Sequence, residues 1–329
     1  MAQYIVRRLL LMIPTLIMVS IFVFVLIQLP PGSYIDSYVM QLRAQGQDVS
    51  SDVIQSLQIQ YGFNQPVYVQ YWKWISGWPQ GNFGPSWTYF GQPVGKIIMA
   101  YLGYTLVLAL LAQIFTLVIG LLIGIYSATH QYSFGDHFFT FLGFIGLSIP
   151  SFLLALIAMF VAYKFFGISS VGGLFSDKYI DAPWSLNKFL DLLGHLWLPV
   201  VILGITGTAG TIRRMRGNLL DVLNMPYVST ARAKGLSENV VIYKHALRNA
   251  LAPIIMALGM WFPHLLSGSV IVGMVLSLPV LGPVLVRALQ MQDMYLAGTV
   301  LFFQCALLLA GNLLADIVLV WVDPRVELE

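Results

Sequence analysis

The sequence predicts an all-α polytopic membrane protein: six transmembrane helices, with an extracytoplasmic segment between the first and second. Three observations carry that prediction. Hydrophobic residues make up 58% of the 329 positions and charged residues only 9%, with a mean hydropathy of +0.80. A soluble domain is roughly 45–50% apolar and about 25% charged, so this chain cannot clothe itself in charge and its main solvent is lipid. Six apolar stretches approach the roughly 20 residues that a helix needs to cross a bilayer. Seven of the 17 basic residues fall in one segment, 212–250, which sets an orientation. A soluble enzyme, a disordered chain and a fibrous protein are excluded. The net charge of +3 is too small and dispersed for a nucleic-acid footprint. The one cysteine, Cys305, lies in an apolar run and has no internal disulfide partner.

Residues 1–29 form the first domain. Leu9 to Leu29 is uncharged and follows Arg7 and Arg8. A basic start and an apolar core also suit a signal peptide, but this core is too long and no A-x-A-like site follows, so it reads as an uncleaved anchor. Residues 30–97 form the extracytoplasmic segment. It is rich in Gln and Gly and holds Trp72, Trp74, Trp78 and Trp87, aromatics suited to a membrane interface. Within it, Ser51-Asp52 followed by Val53, Ile54, Leu57 and Tyr61 predicts a short amphipathic helix with Ser51 as N-cap and Gly62 as stop.

Residues 98–329 form a five-helix core, with spans predicted at 98–127, 137–165, 192–211, 252–275 and 296–321. The third of these contains Pro199, Gly204, Gly207 and Gly210, tolerated in a membrane helix and suited to close packing. Arg7 and Arg8 place the N-terminus inside; six spans then place 212–250 and the C-terminus inside as well. No internal repeat is evident, which counts against inverted-repeat carriers.

The 212–250 segment carries helical signals of its own. Pro226 suits a first helical position, and Tyr227–Lys234 runs to a stop at Gly235. Ser237 is the expected cap of a second helix reaching about Asn249, with Glu238 at its start and Lys244, His245 and Arg248 towards its end, in the order the helix dipole favours. Pro253 marks entry to the next span. On the residues alone, two readings stand: a solvated positive-inside loop, or a docking element. The chain has no G-x4-G-K-[ST] phosphate loop; the stretch Gly91 to Ile97 is one residue short and lacks the hydroxyl. No ATP site is therefore expected in this chain.

Other candidates divide between function and packing. Asp316 lies inside the last span with Asn312 one turn earlier; it is a functional candidate or a packed pair near the cytoplasmic end. Ser148, Pro150 and Ser151 either line a pore or form a hinge whose hydroxyls satisfy the backbone. Met256, Met260, Trp261 and His264 stand at near-helical spacing, as an adaptable lining or as plain helix packing. No metal-ligand spacing and no Ser/His/Asp arrangement is evident.

The string Y-V-S-T-A-R-A-K-G-L-S at 227–237, followed by H-A-L-R-N-A-L-A-P at 245–253, resembles the EAA loop of binding-protein-dependent ABC importer permeases, in particular the B-type subunit of the dipeptide/oligopeptide/nickel branch. The general pattern maps onto Ser229, Thr230, Ala231 and Gly235, and departs from Glu-Ala at the first two positions. Y-I-V-R-R-L-L-L-M-I-P-T-L at 4–16, Y-G-F-N-Q-P at 61–66, G-Q-P-V at 91–94, G-L-S-I-P-S-F at 146–152, Leu281-Gly282 and Asp323-Pro324-Arg325 extend the resemblance over nearly the whole chain. Gly273 stands where the family usually has Glu.

The resemblance implies a type I ABC importer permease fold in a bacterial or archaeal cytoplasmic membrane. It implies a coupling helix spanning Ser229, Thr230, Ala231, Arg232, Ala233, Lys234, Gly235 and Leu236, docked in a cleft of an ATPase subunit. The small residues Ala231, Ala233 and Gly235 would enter the cleft, and Arg232 and Lys234 would meet acidic residues around it. The implied partners are a C-type permease forming a heterodimer, two ABC ATPases that hold ATP and Mg, an extracytoplasmic substrate-binding protein, and membrane lipid. No cofactor is expected in this chain itself. Di- and oligopeptides, nickel complexes or oligosaccharides are the implied cargoes. The readings from other classes are an ion-coupled carrier, which should show repeats and midplane acids, and a membrane-embedded enzyme, which should show a polar cluster.

Overall fold

The computed structural model describes residues 2–322 except 31, 33, 45, 47–49, 63, 90, 168–171 and 259–269. Among the described residues the regular structure is helical, apart from one isolated bridge between Pro85 and Pro93.

The first helix, α1 (Ala2–Gln28), covers the predicted anchor and carries Pro14 within it. The following segment is more helical than predicted, holding α2 (Tyr34–Ala44), α3 (Ser51–Tyr61) and α4 (Val67–Ser76). The predicted cap of α3 needs correction. Ser50 occupies the N-cap and makes no side-chain cap bond, while Ser51 is already helical. Gly62 closes the helix as expected. At φ 75° it adopts the left-handed conformation and its N–H reaches the carbonyls of Gln58 and Ile59.

The second predicted span is α5 (Val94–Thr129). The third divides into α6 (Phe134–Ser148) and α7 (Ser151–Phe166), bent by 102°. Pro150 lacks an N–H and forces Ile149 out of the helical region, to φ −91° and ψ 122°. The fourth span, α8 (Leu186–Leu223), is much longer than the predicted 192–211. It begins at Ser185, whose hydroxyl accepts the Lys188 N–H. It also continues through 212–223, the stretch read as loop. Arg213, Arg214 and Arg216 end the apolar run but not the helix, because Met215 and Leu219 remain on its buried face.

Next come α9 (Pro226–Ala233), α10 (Glu238–Val240), a π-helical turn (Val241–Ala246) and α11 (Leu247–Leu258), which carries Pro253 in its interior. The predicted fifth span, 252–275, enters 259–269 and so falls partly outside the described residues. An unpredicted helix, α12 (Leu281–Gln290), precedes the last span, α13 (Met294–Val322). Among the described residues four helices are long and apolar enough to cross a membrane, or five if the bent pair is one span.

The chain forms two compact units. One comprises 9–103 and 280–306. Its core gathers Phe24, Ile35, Trp74, Trp87, Ile98, Leu281 and Leu296. Trp74 Nε1 donates to Thr299 Oγ1 at 3.3 Å, and Gly298 lets the indole approach so closely that a Cβ there would lie 2.7 Å from the ring. The other unit comprises 1–8, 104–279 and 307–329. In it α5 and α8 meet through glycine, as expected for Gly204 and Gly207. A Cβ on Gly207 would lie 3.0 Å from Thr116, one on Gly120 2.7 Å from Thr211, and one on Gly124 2.6 Å from Met215. The close approach lets Thr116 Oγ1 donate to the Gly204 carbonyl at 2.9 Å. Gly210 plays no such part; its near neighbour is Arg214 of its own helix.

Candidate functional site

Local sequence explains the shape of the 226–236 segment. Pro226 opens α9 at a position where a missing N–H costs nothing. Val228 and Ala231 are buried and pack with Met215, Leu219, Val241, Ala246 and Ala250. Their i, i+3 spacing anchors one face of a helix only eight residues long, too short to stand alone in water. Thr230 Oγ1 donates back to the Pro226 carbonyl at 3.0 Å, and Asn249 Nδ2 donates to Tyr227 Oη at 2.7 Å. Gly235 then turns the chain at φ +77°, and a Cβ there would meet nothing within 4 Å.

Of the eight positions expected to dock, Ser229, Thr230, Arg232, Ala233, Lys234, Gly235 and Leu236 are exposed and Ala231 is buried. The small-residue face expected from Ala231, Ala233 and Gly235 is therefore split: Ala231 belongs to the packed side. Arg232 also has a partner within the chain. Its Nη2 donates to Glu238 Oε1 at 2.6 Å, and its Nε lies 3.1–3.2 Å from both carboxylate oxygens. The guanidinium beside it holds the Glu238 carboxyl below the usual carboxylate range, and the carboxylate raises Arg232 further. Ser237 stands at the N-cap of α10 as predicted, without a side-chain cap bond. The helix expected to run evenly to Asn249 widens into the π-helical turn, a distortion often found at functional sites.

The other candidates are placed as follows. Ser148 Oγ donates to the Phe144 carbonyl at 2.8 Å, Pro150 is the N-cap of α7 and Ser151 its first residue. Met256 is exposed on α11. Met260, Trp261 and His264 lie outside the described residues. Asp316 accepts from Tyr4 Oη at 2.7 Å and lies 3.5 Å from Arg8 Nη2, so that acid packs against α1.

Three buried polar groups escaped the sequence reading. Asp293, with 0% exposure, accepts from Ser86 Oγ at 2.6 Å, the Thr88 N–H at 2.9 Å and the Leu296 N–H at 3.1 Å. Asp136 forms a two-pronged pair with Arg216, Nη2 to Oδ2 at 3.0 Å and Nε to Oδ1 at 3.2 Å. Lys188 is buried and donates to the Ala182 carbonyl at 2.6 Å. An acid one residue before an apolar helix is the signal that could have marked Asp293.

Comparison with known proteins covers the full length. Residues 120–328 match the family described as "Binding-protein-dependent transport system inner membrane component", and residues 1–109 match its N-terminal counterpart. The chain is 39% identical over 327 residues to the oligopeptide transport system permease protein AppB of Bacillus subtilis, covering 99% of this chain and 100% of that one. It is 31% identical over 341 aligned positions to the dipeptide transport system permease protein DppB of Alkalihalophilus pseudofirmus, covering 99% and 100%. It is 33% identical over 328 residues to the glutathione transport system permease protein GsiC of Salmonella typhimurium, covering 99% of each.

Proposed function

The chain belongs to the family of binding-protein-dependent transport system inner membrane components, and on that premise we propose that it is the permease subunit of an ATP-driven ABC importer that carries peptides inward. The observation that carries this reading is the full-length likeness to permeases named for oligopeptide, dipeptide and glutathione transport. Cargo is delivered outside by a substrate-binding protein. The pore is shared with a second, C-type permease. ATP and Mg act on two separate ATPase subunits, and this chain contributes no ATP site.

Six spans are assigned, with both termini cytoplasmic. They are α1, α5, the bent pair α6–α7, α8, a fifth expected at 252–275 of which 259–269 lie outside the described residues, and α13. In this arrangement α2, α3 and α4 lie outside. The exposed face of α9 with Gly235 and Leu236 is the coupling surface against an ATPase cleft. Arg232 keeps the segment folded through Glu238, which leaves Lys234 as the cation offered to the cleft. Ser148, Pro150, Ser151, Met256, Met260 and His264 are the pore positions of this reading.

Gly235→Asp tests the coupling. A Cβ at this position meets nothing within 4 Å in the chain, so the added bulk is expected to fall on a docked partner. Because φ is positive there, Gly235→Ala serves as the control: it carries the backbone strain of a Cβ at that φ without the bulk or charge of Asp, and should keep more of the uptake. Expected for Gly235→Asp is assembly with the ATPases and ATP hydrolysis no longer stimulated by loaded binding protein, with uptake reduced at least tenfold. Unchanged uptake by well-expressed Gly235→Asp protein sinks the assignment.

A further inference from the structure

We infer that the groove between the start of α6 and residues 209–216 of α8 binds an anionic phospholipid, its phosphate against Arg213 and an acyl chain along Phe141, Phe144 and Leu147. The groove is a cavity of about 500 Å³. Its chemistry is divided along its length. Tyr132, His137, Thr140 and Arg213 line it together with the apolar Phe141, Phe144 and Leu147. Tyr132 and His137 form the polar end at the start of α6, and Thr140, beside Phe141, and Arg213, over the Phe144 ring, mark where it gives way to the apolar wall. A headgroup above a hydrocarbon tail has that same division.

The charge balance selects an anion. Two arginines and one carboxylate line the groove. Asp136 is committed to Arg216 through both oxygens and also accepts the Tyr132 N–H at 3.1 Å; its side chain is only 5% exposed. That pair neutralises itself. Arg213 is exposed, its guanidinium lies 5.2 Å from the centre of the Phe144 ring, and among the described residues no carboxylate comes within 4 Å of it. One positive charge is thus left on the lip of an apolar groove, held over an aromatic face. Basic pockets between membrane helices on the cytoplasmic side attract anionic headgroups, and long cationic side chains reach to that level.

Phe141, Phe144 and Leu147 are each about half exposed, as befits a wall that meets hydrocarbon. Gly143 deepens the groove: a Cβ there would stand 3.4 Å from Ala209. Placement in the cytoplasmic leaflet rests on the orientation proposed above; binding itself does not.

The test uses the complete purified importer. Native mass spectrometry measures retention of added dioleoylphosphatidylglycerol against dioleoylphosphatidylcholine. Expected is retention of the anionic lipid at concentrations where the zwitterionic one is lost. Arg213→Gln should weaken it at least fivefold, Arg213→Lys less than Gln, and Phe144→Ala twofold or more with the charge intact. Arg43→Gln, an exposed cation at the end of α2, should leave it unchanged. Equal retention of the two lipids, or full retention by Arg213→Gln, overturns the proposal. So does displacement of the lipid by transported peptide, which would make the groove part of the substrate route. If Arg213→Gln fails to assemble, Arg213→Lys and Phe144→Ala decide. Labelling Tyr132→Cys from one side of the membrane, in a Cys305→Ser background, reports the leaflet independently of binding.

Discussion

Asp293 joins two distant parts of the chain through one fully buried side chain. It satisfies the hydroxyl of Ser86 and the backbone of Thr88, more than 200 residues earlier in the chain, while capping the start of α13. Replacement by Ala leaves those donors buried without an acceptor, at about 1–3 kcal/mol for each such group. Asp293→Ala should therefore lower stability by about 2–4 kcal/mol, and Asp293→Asn by less, because one acceptor oxygen survives. Thermal unfolding of the detergent-solubilised protein checks this, and a midpoint equal to that of the unmodified protein would refute it. Arg232 and Glu238 give a pH-dependent counterpart. The folded Glu238 value lies below its ordinary 4.5, so the stabilisation is fully present above that value and is lost as pH falls through the depressed one. Arg232 stays charged throughout. Both side chains are exposed, at 41% and 55%, so a double-mutant cycle with Arg232→Gln and Glu238→Gln should return only about 0.2–1 kcal/mol near neutral pH. A coupling that does not weaken as pH falls below 4.5 contradicts the ion-pair account. The family resemblance gives Arg232 an acidic partner around an ATPase cleft; within its own chain Arg232 already pairs with Glu238, six residues away.

Among elements, the α5–α8 contact shows how far glycine spacing can be read. The series Gly204, Gly207 and Gly210 in an apolar span points to close packing, yet Gly210 meets only Arg214 of its own helix. Gly120 and Gly124 stand four apart in an apolar stretch, the small-xxx-small spacing of close helix packing, a signal that the sequence carried and the reading passed over; the facing Thr211 and Met215 show its use. Gly124→Leu drives a side chain into Met215 and should destabilise by about 1–3 kcal/mol or more, visible as reduced recovery of assembled protein. Gly217→Ala has open space around it and should be neutral or stabilise by up to about 1 kcal/mol, because Ala loses less entropy in a helix. If both variants behave alike, close packing is not what those glycines provide. The elements missed in the sequence, α2, α4 and α12, share a cause. They are 10 or 11 residues long, too short to register as a span, and unlike the equally short α3, which Ser51-Asp52 and Gly62 bracket, none of them was marked by a paired start and stop signal. The end of α8 was missed for the converse reason. Its arginines signal the membrane boundary, and a boundary for lipid is no boundary for a helix.

For the whole molecule, orientation is the property most open to direct measurement. In a Cys305→Ser background, Ser51→Cys should react with a membrane-impermeant thiol reagent added to the outside of cells. Ser229→Cys should react only after the cytoplasmic face is exposed. The opposite pattern would falsify the six-span assignment. The fold class was legible because composition reports solvent, and the 226–236 segment because Pro226 and Gly235 punctuate a short helix by local rules alone. Pore positions were not, since what faces a pore depends on neighbours that no local pattern names. The partition of the chain has a further consequence, in time rather than space. The unit built from 9–103 and 280–306 cannot close until its second piece has been made. Trp74 awaits Gly298 and Thr299; Ser86 awaits Asp293. At about 5–20 residues per second, the first piece stands unfinished for about 10–40 s while the intervening residues emerge. An early stop before residue 293 therefore leaves Ser86, Thr88 and Trp74 without the partners that complete a structure already begun.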